Sequence, residues 1–287
     1  MSRHALGILL LIAVTLIWGS TFALVKDATH SISPAVLIAW RFTVALVPLL
    51  FFLHGDRTLW RDGILLGAMA MVSYATQTIG LQYTSANRGA FITGLNVVMV
   101  PLAVAALGGR RITPAVWAAV AVALGGIALL SFEGGPINVG DAWIFACAVA
   151  YVAYIVYLER VAGQHRTLPL AAVQVLTVAV LGWLWVAPQA LSGSSIALPA
   201  DLWGAVLYLG VIATAGTTLL QTLGQKYVSA PEAALIYALE PVAAAVFAYF
   251  WIHEVVGPRG LLGGLLVVIG MALSQLPERK RIVPLSE

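Results

Sequence analysis

The stretch Gln77–Ala86, QTIGLQYTSA, returns as Gln221–Ala230, QTLGQKYVSA, with six of ten positions identical at a constant offset of 144 residues. Without a gap, the same offset carries Asn96 onto Glu240, Arg110 onto Glu254, Pro114 onto Pro258 and Gly126 onto Gly270. Agreement of this length marks an internal repeat. Working outward from it, span-length apolar runs predict helices over Leu6–Val25, Pro34–Leu53, Gly63–Leu81, Ala86–Leu107 and Pro114–Leu130. Five more are expected over Ala142–Leu158, Leu168–Ala190, Leu202–Leu223, Ala230–Trp251 and Gly260–Leu276. Each copy then holds five helices, with residues 1–135 as the first repeat and 136–287 as the second. A unit that crosses a bilayer an odd number of times leaves its successor upside down. The expected fold is therefore an all-α membrane protein of ten transmembrane helices in two inverted five-helix repeats.

Composition agrees with burial in lipid. Of 287 residues 61% are hydrophobic and only 9% charged, and the mean hydropathy is +0.96. A soluble domain carries about a quarter charged residues. Lipid offers the backbone no hydrogen bonds, so each apolar run has to close its own as a helix, and the short alternating segments of a β-barrel are absent. The run from Leu6 after Arg3 is long enough to span and no small-residue cleavage site follows it, so it reads as a retained first helix rather than a secretory signal.

Orientation follows from the basic residues. With the N-terminus inside, the cytoplasmic side holds Arg3, Arg57, Arg61, Arg110, Arg111, Arg160, Arg166, Lys226, Arg279, Lys280 and Arg281, against Lys26, Arg88 and Arg259 outside. Both termini are expected in the cytoplasm of a bacterial cell, with the chain multi-pass in the inner membrane. The formal charge of +3 is scattered singly or in pairs and forms no basic stripe, so no nucleic-acid partner is expected.

The soluble-enzyme signatures are missing: no phosphate loop with a lysine, no zinc-ligand histidine pair and no serine in a nucleophile elbow. No catalytic residue, metal or cofactor is expected, and ATP is not the expected energy source. The histidines His4, His30, His54, His165 and His253 fall at span ends or in loops, and Cys147 reads as a small packing residue without a disulfide partner.

Polar side chains within the spans recur at corresponding places of the two copies. Helix three carries Tyr74 and Gln77 and helix eight Thr218 and Gln221; helix four carries Thr93 and Asn96 and helix nine Tyr237 and Glu240. Trp18 and Thr21 in helix one match Tyr151 and Tyr154 in helix six at an offset of 133. Each pair is three residues apart and so shares a helix face. Such faces turn away from lipid, either to hold the bundle together or to line a watery cavity. Mixed aromatic, amide and hydroxyl groups suit a small-molecule pocket, and these residues, Glu240 apart, are the eleven of the candidate solute-binding set. Helices five and ten carry Gly125, Gly126, Gly260, Gly263, Gly264 and Gly270 with almost no polar partner, which reads as close-packed scaffold. Pro101 and Pro241 each remove a helical hydrogen bond and free the carbonyls of Val97 and Tyr237, giving a kink, a hinge or a solute-facing oxygen.

Two charges remain within the spans. Arg41 is expected either to attract an anionic group of the solute or to pair with an acid. Glu240 falls near the midplane, where an acid costs on the order of 2.5–3.5 kcal/mol by insertion scales and should be neutral, paired or hydrated. It is a candidate proton-coupling group; the alternatives are an ion pair with Arg41 or a helix cap.

The segments TSANRGAFITGLNVVMVPL (Thr84–Leu102), SAPEAALIYALEPVAAAVFAYFWIHE (Ser229–Glu254) and WGSTF (Trp18–Phe22), with Arg41 in WRF, resemble the EamA-type transporters of the drug/metabolite transporter superfamily. The resemblance implies ten helices with both termini inside, and alternating access to a central cavity lined mainly by helices one, three, four, six, eight and nine. The fourth helix ends in GGRR, Gly108–Arg111, where many relatives have a glutamate like Glu254. The expected function is a secondary transporter of a small organic solute, with export favoured over import, proton coupling through Glu240, and membrane lipid and protons as further partners of a monomer or homodimer. A passive channel and a membrane sensor or assembly subunit are the competing readings.

Overall fold

A computed structural model describes residues 2–107, 112–131, 136–252 and 257–274, and all regular structure among them is helical. Arg110, Arg111, His253, Glu254, Arg279, Lys280, Arg281 and the expected end of the last helix at Leu276 lie outside the described residues.

The described helices join into ten rods: α1 (Arg3–Ala28), α2 (Pro34–Phe52), α3 (Arg57–Leu81), α4 (Ala86–Ala106), α5 (Pro114–Ser131), α6 (Val139–Ala162), α7 (Thr167–Leu191), α8 (Ala200–Gly224), α9 (Ala230–Tyr237 continued by Glu240–Ile252) and α10 (Pro258–Ser274). Eight are long and apolar enough to cross a membrane, while α5 and α10 are shorter apolar helices. Large apolar side chains such as Leu9, Leu184, Leu261 and Leu265 face outward, as a lipid-facing surface requires. Starts are set by local capping. Ser2, Ser33, Asp56 and Ser85 each accept the amide three residues on. Asn138 with Asp141, and Ser229 with Glu232, complete reciprocal capping boxes.

Packing follows the sequence repeat. α3 lies against α6 and α7, α8 against α1 and α2, α4 against α6, and α9 against α1, while α2 meets α7, α4 meets α9 and α5 meets α10. Exchanging the first five helices with the last five maps each of these contacts onto another of the set. α5 and α10 touch backbone to backbone: a Cβ on Gly263 would lie 2.6 Å from the Leu130 nitrogen, and one on Gly126 would lie 2.6 Å from the Gly263 oxygen. Neither neighbour is a side chain that can swing away. Gly263→Val is therefore expected to destabilise the protein by about 1–3 kcal/mol in a detergent melt. Gly125→Val, with nothing within 4 Å of the added carbon, should leave the melting temperature in place; equal melts for the two variants would contradict the close approach.

Several rods depart from plain helices: α1 is interrupted at Ser20, and α2 ends in a 3-10 segment over Val47–Phe52. α4 is interrupted at Leu95 and α9 at residues 238–239, so that Asn96 and Glu240, equivalent in the repeat, each open the second half of their rod. The interruption comes before the prolines: Pro101 lies inside the second half of α4, and Pro241 is the second residue of its own half-helix, where a missing N–H costs little. α8, expected as one regular helix, contains a π-helical segment over Tyr208–Gly216 that α3 lacks.

Candidate functional site

Side chains from α1–α4 and α6–α9 surround a cavity of about 60 Å³ between the two halves. That is room for about two water molecules in this conformation. Trp18, Thr21, Tyr74, Gln77, Thr93, Tyr151, Tyr154, Thr218 and Gln221 line it, together with Arg41 and Glu240.

One wall is aromatic. Tyr151 and Tyr154 stack at 5.8 Å between ring centroids, and the indole of Trp18 meets Tyr151 edge-on at 5.7 Å. Hydrogen bonds fix these rings: Gln221 Nε2 donates to Tyr151 OH at 2.7 Å, Tyr154 OH donates to Gln174 Oε1 at 2.7 Å, and Trp18 Nε1 donates to Thr217 Oγ1 at 3.2 Å. Thr21 and Thr93 turn their hydroxyls back to their own helices, onto Trp18 O and Gly89 O. Gln77 and Thr218 make no hydrogen bond among the described residues, which leaves their polar atoms available to a solute.

Arg41 is buried, and its guanidinium is gripped by the π segment. Nε donates to Thr214 Oγ1 at 2.7 Å and Nη2 to Ala213 O at 3.2 Å, while Cζ lies over the Tyr74 ring, 4.8 Å from its centroid. Thr214 Oγ1 itself donates to Leu209 O, five residues back. The side chain thus bonds to the region where the wider π turn displaces the regular ladder, a feature often found at functional sites. Glu240, 8% exposed, shares the cavity with Arg41, but no ion pair or hydrogen bond reaches it among the described residues. The expected alternatives of a Glu240–Arg41 ion pair and a helix cap are therefore not realised.

Two expected lining residues stand outside the cavity wall. Tyr237 is buried behind it, its ring packed on Trp18 at 5.6 Å and on Tyr151 at 6.0 Å. Asn96 is buried at the interruption of α4 with its Oδ1 unbonded. Both sit at rod interruptions, as does Glu240, which lines the cavity, so regular spacing does not decide which of these side chains reaches it. Conversely, Phe42, Ser73, Cys147 and Gln174 line the cavity without having been singled out for it. Cys147 was read as packing; its Sγ lies 3.3 Å from Ser73 Oγ on the wall. Gln174 had a signal in the sequence, since the offset of 133 that pairs Trp18 with Tyr151 also pairs Arg41 with Gln174. Helices two and seven thus both reach the site.

A family model described as the EamA-like transporter family matches residues 5–132 and again 138–276. An uncharacterized transporter of Archaeoglobus fulgidus is 30% identical over 266 residues, covering 92% of this chain and 83% of that protein. A probable terminal-alkyne amino-acid exporter of Streptantibioticus cattleyicolor is 29% identical over 275 residues, covering 92% of this chain and 91% of that protein. A crystal structure described only as that of a protein aligns with a TM-score of 0.77 at 22% identity, covering 94% of this chain and 96% of its own, which is a likeness of fold.

Proposed function

Because the chain belongs to the EamA-like transporter family, we propose that this multi-pass membrane protein is a secondary transporter that moves a small organic solute by alternating access to the cavity between its halves. The observation that carries the reading is a small cavity lined at repeat-equivalent positions by amide, hydroxyl and aromatic groups. Inverted repeats with a site at their interface and interrupted helices around it are the architecture of secondary transporters. Ten spans in two inverted repeats, near 1–135 and 136–287, fit the two family matches and the exchangeable helix contacts. The basic-residue bias puts both termini in the cytoplasm, and export is favoured over import. A cavity of about 60 Å³ is too small for an organic solute as it stands, which supports a change of conformation on binding over a standing open pore.

Arg41, amide and hydroxyl groups line the cavity together, and a relative is described as a probable terminal-alkyne amino-acid exporter. Zwitterionic amino acids are therefore the first solutes to test. The experiment is a metabolite-wide uptake screen with purified protein in liposomes, run with and without an imposed pH gradient. Accumulation of a solute above its outside concentration supports the transporter; flux that only equilibrates identifies a channel, and binding without flux identifies a sensor. Topology gives a separate check. Reporters fused after Glu287 and at Arg110 should read cytoplasmic, and those at Pro136 and Ser194 periplasmic. A cytoplasmic reading at Pro136 would overturn the inverted arrangement.

A further inference from the structure

The offset of 144 that defines the repeat pairs Arg88 with Glu232. Each is the third residue of its rod, α4 or α9, and each gives its amide to the capping serine before it, Ser85 or Ser229. The backbone position is the same and the charge is opposite. Arg88 reaches across to Asp141 at the start of α6: Nε donates to Oδ1 at 2.7 Å and Nη2 to Oδ2 at 2.6 Å, with Nη2 also on Pro136 O at 3.0 Å. Asp141 accepts Thr84 Oγ1 as well, at 3.2 Å. Glu232 reaches across to His4 at the start of α1, through one contact of 3.3 Å between His4 Nε2 and Oε1. Since α1 and α6 are counterparts, the two pairs occupy equivalent places, and each joins one half of the protein to the other.

They lie at opposite ends of the bundle. Gly7 of α1 lies beside Val228 and Gly224, Lys226 donates to His165 O, and His165 meets Asp62 near the start of α3. Gly80, near the far end of the same rod, approaches Gly140 beside Asp141. The pairs are also unequal. Arg88 and Asp141 are 18% and 8% exposed and joined through two parallel charge-assisted bonds, whereas His4 and Glu232 are 48% and 24% exposed. Water screens a contact of the second kind, and truncating one of the first kind leaves a poorly solvated charge behind. At the His4 end Asp62 also bonds Tyr157 at 3.0 Å and His165 at 2.8 Å. That tie runs along the α3–α6 contact, so those two rods are fastened at this end by a buried carboxylate. α1 and α9 are joined there by the exposed pair.

Building on the alternating-access reading, we propose that Arg88–Asp141 and His4–Glu232 are the two gate latches of the cycle, equivalent by the repeat and reversed in polarity. Their inequality sets the resting bias: the cavity opens more readily at the His4 end, by separation of α1 from α9. Opening at the Arg88 end requires breaking the buried fork.

The natural sequence supplies a reporter, because Cys147 is the single cysteine and lines the cavity. In liposomes of sorted orientation, a small membrane-impermeant thiol reagent is applied from each face in turn. Wild type should react faster from the His4 face. Arg88→Gln, which leaves the Ser85 cap in place, should raise the rate from the Arg88 face by about ten-fold or more. Glu232→Gln keeps a capping-box residue and should change either rate by no more than about five-fold. Arg88→Lys, retaining charge without the fork, should fall between wild type and Arg88→Gln and serves if the latter does not fold. Thr21→Cys in a Cys147→Ser background gives a second reporter on the same wall. The proposal is overturned if neither Arg88 variant changes labelling from its own face, or if Glu232→Gln has the larger effect. A channel would label from both faces at once and ignore all three latch variants, which separates failure of the transport reading from failure of the latches.

Discussion

Glu240→Gln is expected to abolish pH-gradient-driven accumulation of solute while exchange of solute across the membrane persists. Glu240 opens the second half of α9, borders the cavity and is bonded to no described residue. A carboxylate in that position can bind and release a proton as the cavity changes face, with no partner to displace. Its repeat equivalent Asn96 has a similar shape but cannot titrate and stands outside the cavity wall, so one half of the site alone is placed to carry the proton. Coupling to one proton lets a gradient of one pH unit support about ten-fold accumulation. Glutamine keeps the volume and a polar head and removes the proton, so that factor should fall to about one, with exchange kept within about three-fold of wild type. If the glutamine variant still accumulates solute with the wild-type dependence on the gradient, Glu240 is not the coupling group.

Arg41→Lys is expected to cause a large loss of stability although charge is conserved. The guanidinium bonds Thr214 Oγ1 and Ala213 O from two different nitrogens while lying over Tyr74. An ammonium is a single compact head, without the planar fork or the flat face for the ring. Losing one buried charge-assisted bond costs about 1.5–3 kcal/mol, which lowers the melting temperature by roughly 5–10 °C in a protein of this size. Thermal unfolding in lipid nanodiscs reads this directly, and solute affinity on the same samples separates folding from binding. A melting temperature within about one degree of wild type would show that the π segment does not depend on the fork. The Gln77→Leu and Gln221→Leu variants divide along similar lines. Gln221 holds the Tyr151 ring and Gln77 holds nothing described, so Gln221→Leu should weaken both fold and solute affinity, and Gln77→Leu solute affinity alone.

Most of the cavity was legible from periodicity. Tyr74 with Gln77, and Tyr151 with Tyr154, lie three apart on regular helix, which keeps such pairs on one face, while Trp18 and Thr21 both reach the wall across the interruption of α1 at Ser20. Beside an interruption, spacing does not decide whether a side chain reaches the wall: Glu240 does. Asn96 and Tyr237 flank interruptions of their rods, and both left the wall. Arg41 and Glu240 were matched as the opposite charges within the spans, yet the guanidinium bonds a hydroxyl and a carbonyl instead. Nothing in residues 208–216 announces a π turn, because it is stabilised by a side chain from another rod, far away in sequence. Gln174 corresponds to Arg41 at the 133 offset, a match between single residues that no same-helix spacing marks.

The sequence by itself determined the helical spans, the repeat and the residue types that could not face lipid. Each of these follows from a local rule: an apolar run must close its own hydrogen bonds, and a repeated motif repeats its structure. What only the tertiary structure decided is which polar groups meet. Arg41 went to α8, Tyr154 to Gln174, and Arg88 to Asp141 while its equivalent Glu232 went to His4. Partner choice depends on how rods cross and where their ladders are interrupted, and on which charge reaches a buried fork and which a screened surface contact. Those are properties of the packed bundle, summed over contacts that no single stretch of chain contains.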